Sequence, residues 1–279
     1  MKIAHEEGEF KGKEGLKIYY QFWRPEKVRA VMVAAHGLAE YSGRYKHVAE
    51  HFASKGIAFY ALDHRGHGRS EGARGHVDNF DDYVEDLDTF IDMVKKKEEK
   101  EKKLILLGHS MGGTIALLYA LKNPEKIDCL VLSSPALRLA SDVDAGTMKM
   151  LEELAKTNPK QEIPSQIDPY TLSHDKKVCE AYANDPLIFK TITVKFAVEF
   201  IKAMKTILEN ADKLKVPTLL LVAGEDKLVN PKGSMELAEK VKHKDFTMKI
   251  YKGLYHEILN ELEKEKVLKD IDEWLETKI

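Results

Sequence analysis

Ser110 lies in Gly108-His109-Ser110-Met111-Gly112, with a glycine two residues before it and another two residues after. The pattern suits a serine on a sharp strand-to-helix turn, where side chains at the glycine positions would block close backbone approach. The oxygen of such a serine attacks an acyl carbon, provided that a base takes its proton and a carboxylate orients that base. Later segments supply these types in the order serine, acid, histidine. Asp226 stands in Ala223-Gly224-Glu225-Asp226-Lys227, and His256 in Gly253-Leu254-Tyr255-His256-Glu257. The spacing predicts acyl transfer with Ser110 as nucleophile, His256 as general base and Asp226 as the orienting acid.

Other residues of the right types are less well placed. Glu225 is next to Asp226 and on a tight loop would point elsewhere. His243 sits at a lysine-rich helix end and reads as solvated. The run Asp63-His64-Arg65-Gly66-His67-Gly68-Arg69-Ser70 precedes Ser110 and would invert the order, so it reads as a structural loop beside the turn. A tetrahedral intermediate needs two backbone donors. The Met111 amide, after the nucleophile, is one. The Leu38 amide, in His36-Gly37-Leu38 after an early apolar run, is the other.

These residues need a scaffold that brings strand ends together. Short apolar runs recur at 31–35, 57–62, 104–107, 129–132 and 218–222, with a further run at 246–251. They are near-continuous rather than alternating, as expected of strands buried on both faces of a parallel sheet. Phe80, Tyr83, Val84, Leu87, Ile91 and Val94 fall on one face of a helix that Asp78 or Asn79 can cap. Its tail, Lys95 to Lys103, is mixed in sign and reads as a solvated helix end. Alternating strands and helices predict a doubly wound α/β core in two parts, residues 1–136 and 207–279. Residues 137–206 carry helical periodicity broken by Pro159, Pro164, Pro169 and Pro186, and read as a helical cap inserted over the ligand-binding edge of the sheet. Leu139, Leu151, Ile163, Ile192 and Phe200 are among cap side chains that can pack on the sheet, line an acyl tunnel or touch lipid.

The chain has 279 residues and a formal net charge of −2, which implies no general attraction to nucleic acid. No cluster has metal-ligand spacing, and the chemistry requires no cofactor. Cys129 and Cys179 read as separate buried thiols in a reducing compartment, with a single disulfide as the alternative. No 18-residue apolar stretch is present, and the start of the chain lacks a signal-peptide core. These features predict a soluble, cytoplasmic protein, with transient cap contact to a membrane or micelle as its only membrane association; the oligomeric state is left open. Lysine far outnumbers arginine, glutamate is abundant and glutamine scarce, a balance associated with hyperthermophiles.

With these parts assembled, the chain resembles monoacylglycerol lipases and their lysophospholipase-like relatives throughout its length. The segment His36-Gly37-Leu38-Ala39-Glu40-Tyr41-Ser42-Gly43-Arg44-Tyr45 carries most of that resemblance. It implies an α/β-hydrolase fold: a mostly parallel central sheet, helices on both faces and a helical cap. It also implies hydrolysis of monoacylglycerol to glycerol and fatty acid through an acyl-enzyme. The matching positions assign Glu40, Arg44 and His109 to a polar pocket for glycerol, and Tyr182 to glycerol recognition from the cap. Taken alone, Glu40 and Arg44 also fit a surface ion pair at i,i+4, and Tyr182 a packing aromatic. Ala39 and Tyr41 replace a glycine and a histidine of vertebrate members, and Phe189 and Val229 stand where those members carry thiols. A broader carboxylesterase or lysophospholipase is the enzymatic alternative, and a non-catalytic ligand-binding protein on the same fold the remote one.

Overall fold

The computed structural model describes residues 2–98, 101–141 and 143–279. Met1, Asp142 and, within the charged run after residue 94, Glu99 and Lys100 lie outside the described residues.

The apolar runs form the strands expected of them. In chain order the elements of the first part are β1 (Ile3–Lys11), β2 (Lys17–Pro25), β3 (Ala30–Ala35), α1 (Lys46–Ser54), β4 (Ile57–Leu62), α2 (Asp81–Lys97), β5 (Lys103–His109), α3 (Met111–Lys122) and β6 (Cys129–Ser133). The insertion contains α4 (Ala145–Thr157), β7 (Glu162–Pro164), α5 (Lys176–Asn184), β8 (Thr191–Thr193) and α6 (Val194–Glu209). The chain then returns to the sheet with β9 (Thr218–Ala223), α7 (Pro231–Lys240), β10 (Phe246–Tyr251) and α8 (Lys264–Leu275).

Eight strands form one sheet in the order β1-β2-β4-β3-β5-β6-β9-β10. β1 pairs with β2, and β2 with β4, antiparallel; every other pairing is parallel. A mostly parallel sheet between two helical layers is the architecture that the alternating pattern predicts. Successive side chains of β3 enter opposite cores: Val31 and Val33 pack with α2 and α3, while Met32 and Ala34 pack with α1 and α8. A strand of this kind must be apolar throughout, which is why β3 to β6 and β9 show no polar alternation.

Two features differ from the sequence expectation. The β1–β2 hairpin closes one side of the sheet: the edge strand β1 is largely exposed, and β2, though mostly buried, has Gln21 in the middle of its apolar residues, so neither shows a continuous run. Glu98 is buried, accepting from Arg24 Nε at 2.9 Å and Tyr60 Oη at 2.5 Å, so that part of the lysine-rich tail is anchored. As expected of one of the two candidates, Asn79 serves the start of α2, its Oδ1 accepting the Asp81 amide at 3.0 Å.

The insertion is mainly helical, with β7 and β8 as a small antiparallel ladder. Its last helix does double duty. Phe196, Phe200, Ala203, Met204 and Ile207 of α6 join the same core as α3, and α6 runs past residue 206 to Glu209. By contrast α4 has no fully buried residue. Cys129 and Cys179 are both free. Among the described residues no helix is long and apolar enough to cross a membrane.

Candidate active site

Ser110 joins β5 to α3 with φ 53° and ψ −120°, a backbone conformation that L-residues rarely adopt. Its amide donates to Ser133 O at 3.1 Å on the neighbouring strand, and its carbonyl accepts from Gly113 at 2.9 Å and Ala136 at 3.0 Å. The glycines make this turn fit. A Cβ on Gly108 would lie 2.5 Å from Gly112 O, and one on Gly112 would run into the carbonyl oxygens of Ala35 and His36.

Asp226 leaves the end of β9 and His256 follows β10, so the parallel order of the sheet brings both to the edge that carries Ser110. His256 Nδ1 donates to Asp226 Oδ2 at 2.6 Å. The other carboxylate oxygen accepts from the amides of Leu228 at 2.9 Å and Val229 at 3.0 Å. Burial works against charging Asp226, but the imidazole and the two amides outweigh it and hold the carboxyl below its ordinary range. Burial likewise opposes charge on His256; Asp226, aided by Glu257 and Glu40, outweighs it and raises that pKa. Glu225 is exposed and does not line the cavity that holds Ser110 and His256. His256 and Ser110 face one cavity.

The expected amide donors are free to act. Among the described residues neither the Leu38 nor the Met111 amide has a protein acceptor. Gly37 N, one residue earlier, is committed to Glu40 Oε1 at 2.5 Å, and Ala39, at φ 56°, turns the chain sharply at Leu38.

Glu40 and Arg44 do form an i,i+4 pair, but it is buried rather than on the surface. Arg44 Nη1 donates to Glu40 Oε2 at 2.9 Å, and Tyr45 Oη to Glu40 Oε1 at 3.0 Å. A second carboxylate, unmarked by the sequence reading, completes the cluster. Glu257 takes both Arg44 nitrogens, at 2.5 and 2.7 Å, and Asn260 Nδ2 at 2.9 Å. Burial alone would push the Glu257 carboxyl up, yet the guanidinium brings it below the usual carboxylate range. The Arg44 guanidinium also lies 4.9 Å from the centre of the Tyr182 ring. Glu40, His109, Tyr182 and Glu257 line the cavity with Ser110 and His256, whereas Arg44 lies one layer behind. Its visible signal in the sequence was adjacency: Glu257 directly follows the histidine. His109 Nδ1 meets Ser133 O at 3.0 Å, and burial, helped by His256, lowers its pKa.

The cavity holds about 550 Å³. Besides the polar groups its lining includes apolar side chains, Leu139, Leu151, Ile163, Ile192, Phe200 and Met204 of the insertion. Val229 lines it too, while Phe189 instead packs edge-on to His67 at 4.9 Å. Tyr41 donates to Asp185 Oδ2 at 2.6 Å, tying its loop to the insertion. The segment from Asp63 to Ser70 stays out of the cavity: Asp63 accepts the amides of Ser42 and Arg69, both at 2.8 Å, and His64 N donates to His36 Nε2 at 2.9 Å. His243 is half-buried against Phe246 rather than solvated.

A parallel sheet with a strained serine after its fifth strand, facing a carboxylate-bound histidine, defines a serine hydrolase of the α/β-hydrolase class. The chain belongs to the serine aminopeptidase S33 family, whose model matches residues 26–263. It is 36% identical over 271 residues to the monoacylglycerol lipase of Mycolicibacterium smegmatis, covering 96% of each chain. It is 35% identical over 268 residues to the monoglyceride lipase of Homo sapiens, covering 94% of this chain and 88% of that one. The crystal structure of Paleococcus ferrophilus monoacylglycerol lipase superposes with a TM-score of 0.84 at 31% identity over 100% of both chains.

Proposed function

We propose that this serine ester hydrolase cleaves monoacylglycerols to glycerol and a fatty acid. The observation that carries the reading is the position of Ser110 in a single cavity whose lining combines Glu40, Tyr182 and Glu257, gathered around Arg44, and His109 with apolar side chains of the insertion. A substrate with a small polyol on one side of the ester and one acyl chain on the other matches that combination. Relatives named monoacylglycerol lipase and monoglyceride lipase, similar over most of the chain, support it.

In this reading His256 takes the Ser110 proton as Oγ attacks the ester carbon. The amides of Leu38 and Met111 hold the resulting oxyanion. His256 then passes the proton to the departing glycerol oxygen, leaving an acyl-Ser110, and water reverses the sequence to release the fatty acid. Residues 137–206 act as the cap. Met150 (63% exposed) and Tyr170 (59% exposed) on it offer apolar contact to a membrane or micelle, the source of such substrates. The two free buried thiols suit a reducing cytoplasm.

One observation favours a lysophospholipase: Lys227 also lines the cavity and offers a cation to a phosphate. A panel of monoacylglycerols, triacylglycerols, lysophospholipids and an amino-acid anilide separates these readings. Monoacylglycerol should give the highest kcat/KM, and Ser110→Ala should abolish turnover. A lysophospholipid or anilide preferred over monoacylglycerol would reject the proposal, and no turnover on any ester would revive the non-catalytic alternative. For the glycerol end Tyr182→Phe is the clean probe, since removing Glu40 would also free Gly37 N and disturb the oxyanion loop. It should raise KM for monoacylglycerol while leaving a p-nitrophenyl ester of the same chain nearly unchanged. Equal changes on both substrates would make Tyr182 a packing aromatic.

A further inference from the structure

A buried carboxylate outside the proposed reaction stands five residues beyond His256. Glu261 is fully buried and has no lysine or arginine partner among the described residues. A carboxylate in that position is costly unless its oxygens are satisfied. Here they are satisfied from two directions. On the core side Glu261 Oε1 accepts the Tyr255 amide at 2.7 Å. On the cap side it accepts His174 Nδ1 at 2.8 Å through Oε1 and the His174 amide at 2.9 Å through Oε2, with Ser173 Oγ, whose one proton is shared with Asn260 O at 3.0 Å, at 3.2 Å from Oε2. The His174 ring also stacks on Tyr255, with centroids 3.8 Å apart.

Tyr255 is the residue before His256. On the residue after it, the Glu257 amide donates to Leu172 O of the same cap segment at 2.8 Å. Both backbone neighbours of the histidine are therefore hydrogen-bonded into one connection with residues 172–174, on the right through Leu172 directly and on the left through Glu261. These donors also outweigh the effect of burial and hold the Glu261 carboxyl below its ordinary range, so it remains a full acceptor at neutral pH.

We propose that Glu261 is a positioning residue for the general base: with Leu172, Ser173 and His174 it fixes the backbone on both sides of His256 and makes this part of the cap a support for the reaction. The inference rests on the reading of His256 as the general base. It also distinguishes two parts of the insertion. The segment at 172–174 is tied to the core, whereas α4 has no fully buried residue.

The test is steady-state kinetics on p-nitrophenyl butyrate and a monoacylglycerol, with the fluorophosphonate labelling rate of Ser110 alongside. Glu261→Gln keeps the shape but places an amide donor against donors. It should lower kcat on both substrates by roughly tenfold to a hundredfold, the scale of a small misplacement of a catalytic group, with KM little changed. Labelling should slow in parallel, because it too needs His256. Half-exposed His174 gives a variant pair that spares the core, in case Glu261→Gln does not fold. His174→Leu should lower kcat, and His174→Asn, whose amide can stand in for Nδ1, should restore most of it. Wild-type kcat in His174→Leu, or a raised KM with unchanged kcat in either variant, would overturn the proposal. His256→Ala separates this from the parent reading: wild-type turnover there would reject His256 as base, whatever Glu261 does.

Discussion

Asp226 has two carboxylate oxygens and spends each differently, one on His256 Nδ1 and one on the amides of Leu228 and Val229. An amide in its place would keep the backbone contacts but favour the wrong imidazole tautomer. Asp226→Asn should therefore fold normally yet lose about 10⁴-fold in kcat, while exposed Glu225→Gln should cost little. Exchanged phenotypes would move the acid to Glu225. The pH profile follows from the same contacts. His256 accepts a proton only when neutral, and its pKa is raised, so kcat/KM should fall on the acid side with an apparent pKa above the ordinary histidine value of about 6.5. In Asp226→Asn that limb should move toward lower pH. A limb in the carboxylate range would mean that another group takes the proton.

At the scale of elements, the turn between β5 and α3 and the helix α6 do the positioning. Gly112 lets α3 start against the end of β3, where any Cβ meets the carbonyl oxygens of Ala35 and His36. Backbone atoms cannot move aside as a flexible side chain can. Gly112→Ala should therefore cost at least the upper end of the roughly 1–3 kcal/mol typical of overpacking, measured by urea unfolding, and should reduce activity with it. Wild-type stability would show that the turn has room to spare. Phe200 of α6 stacks on Phe80 of the core at 5.3 Å and also lines the cavity. Phe200→Ala should lose about 3 kcal/mol and shift the preferred acyl chain toward greater length, a pairing of effects that follows from one side chain serving both layers. A stability loss without any change in chain preference would place Phe200 in the core alone.

Over the whole molecule, two apolar cores clamp the sheet from either side and charged side chains are linked into networks, one of them buried around Arg65. Arg65 reaches Asp86 at 2.6 Å and Asp82 at 3.5 Å, and Lys13 bridges Asp82 at 2.8 Å and Glu85 at 2.9 Å; Lys126 joins Asp88 at 2.5 Å to Asp92 at 3.1 Å. Networks of this kind gain in value as temperature rises, because ion desolvation becomes cheaper. Thermal unfolding should therefore occur above the ~45–65 °C range of mesophilic domains. A midpoint inside that range would reduce the lysine and glutamate balance to an ordinary charged surface.

Much of this protein was legible from residue order alone, and the reason is local. Parallel strands must be apolar on both faces, so β3 to β6 and β9 declare themselves as runs, and a serine turn that excludes side chains declares itself by its glycines. Asp226 and His256 were legible because each stands just beyond such a run. What the chain order did not reveal depends on contacts between distant segments. The edge hairpin β1–β2 lacks a continuous apolar signal, α6 shows one apolar face whether it packs on a cap or on a core, and Glu257 and Glu261 look like two more charges in a charged tail. Arg44, 213 residues before Glu257, and Ser173, 88 residues before Glu261, turn those charges into buried anchors. Side-chain type sets what a residue can bond, but only tertiary packing removes the water that would otherwise bond it, and that step decides which carboxylates face solvent and which hold the site together.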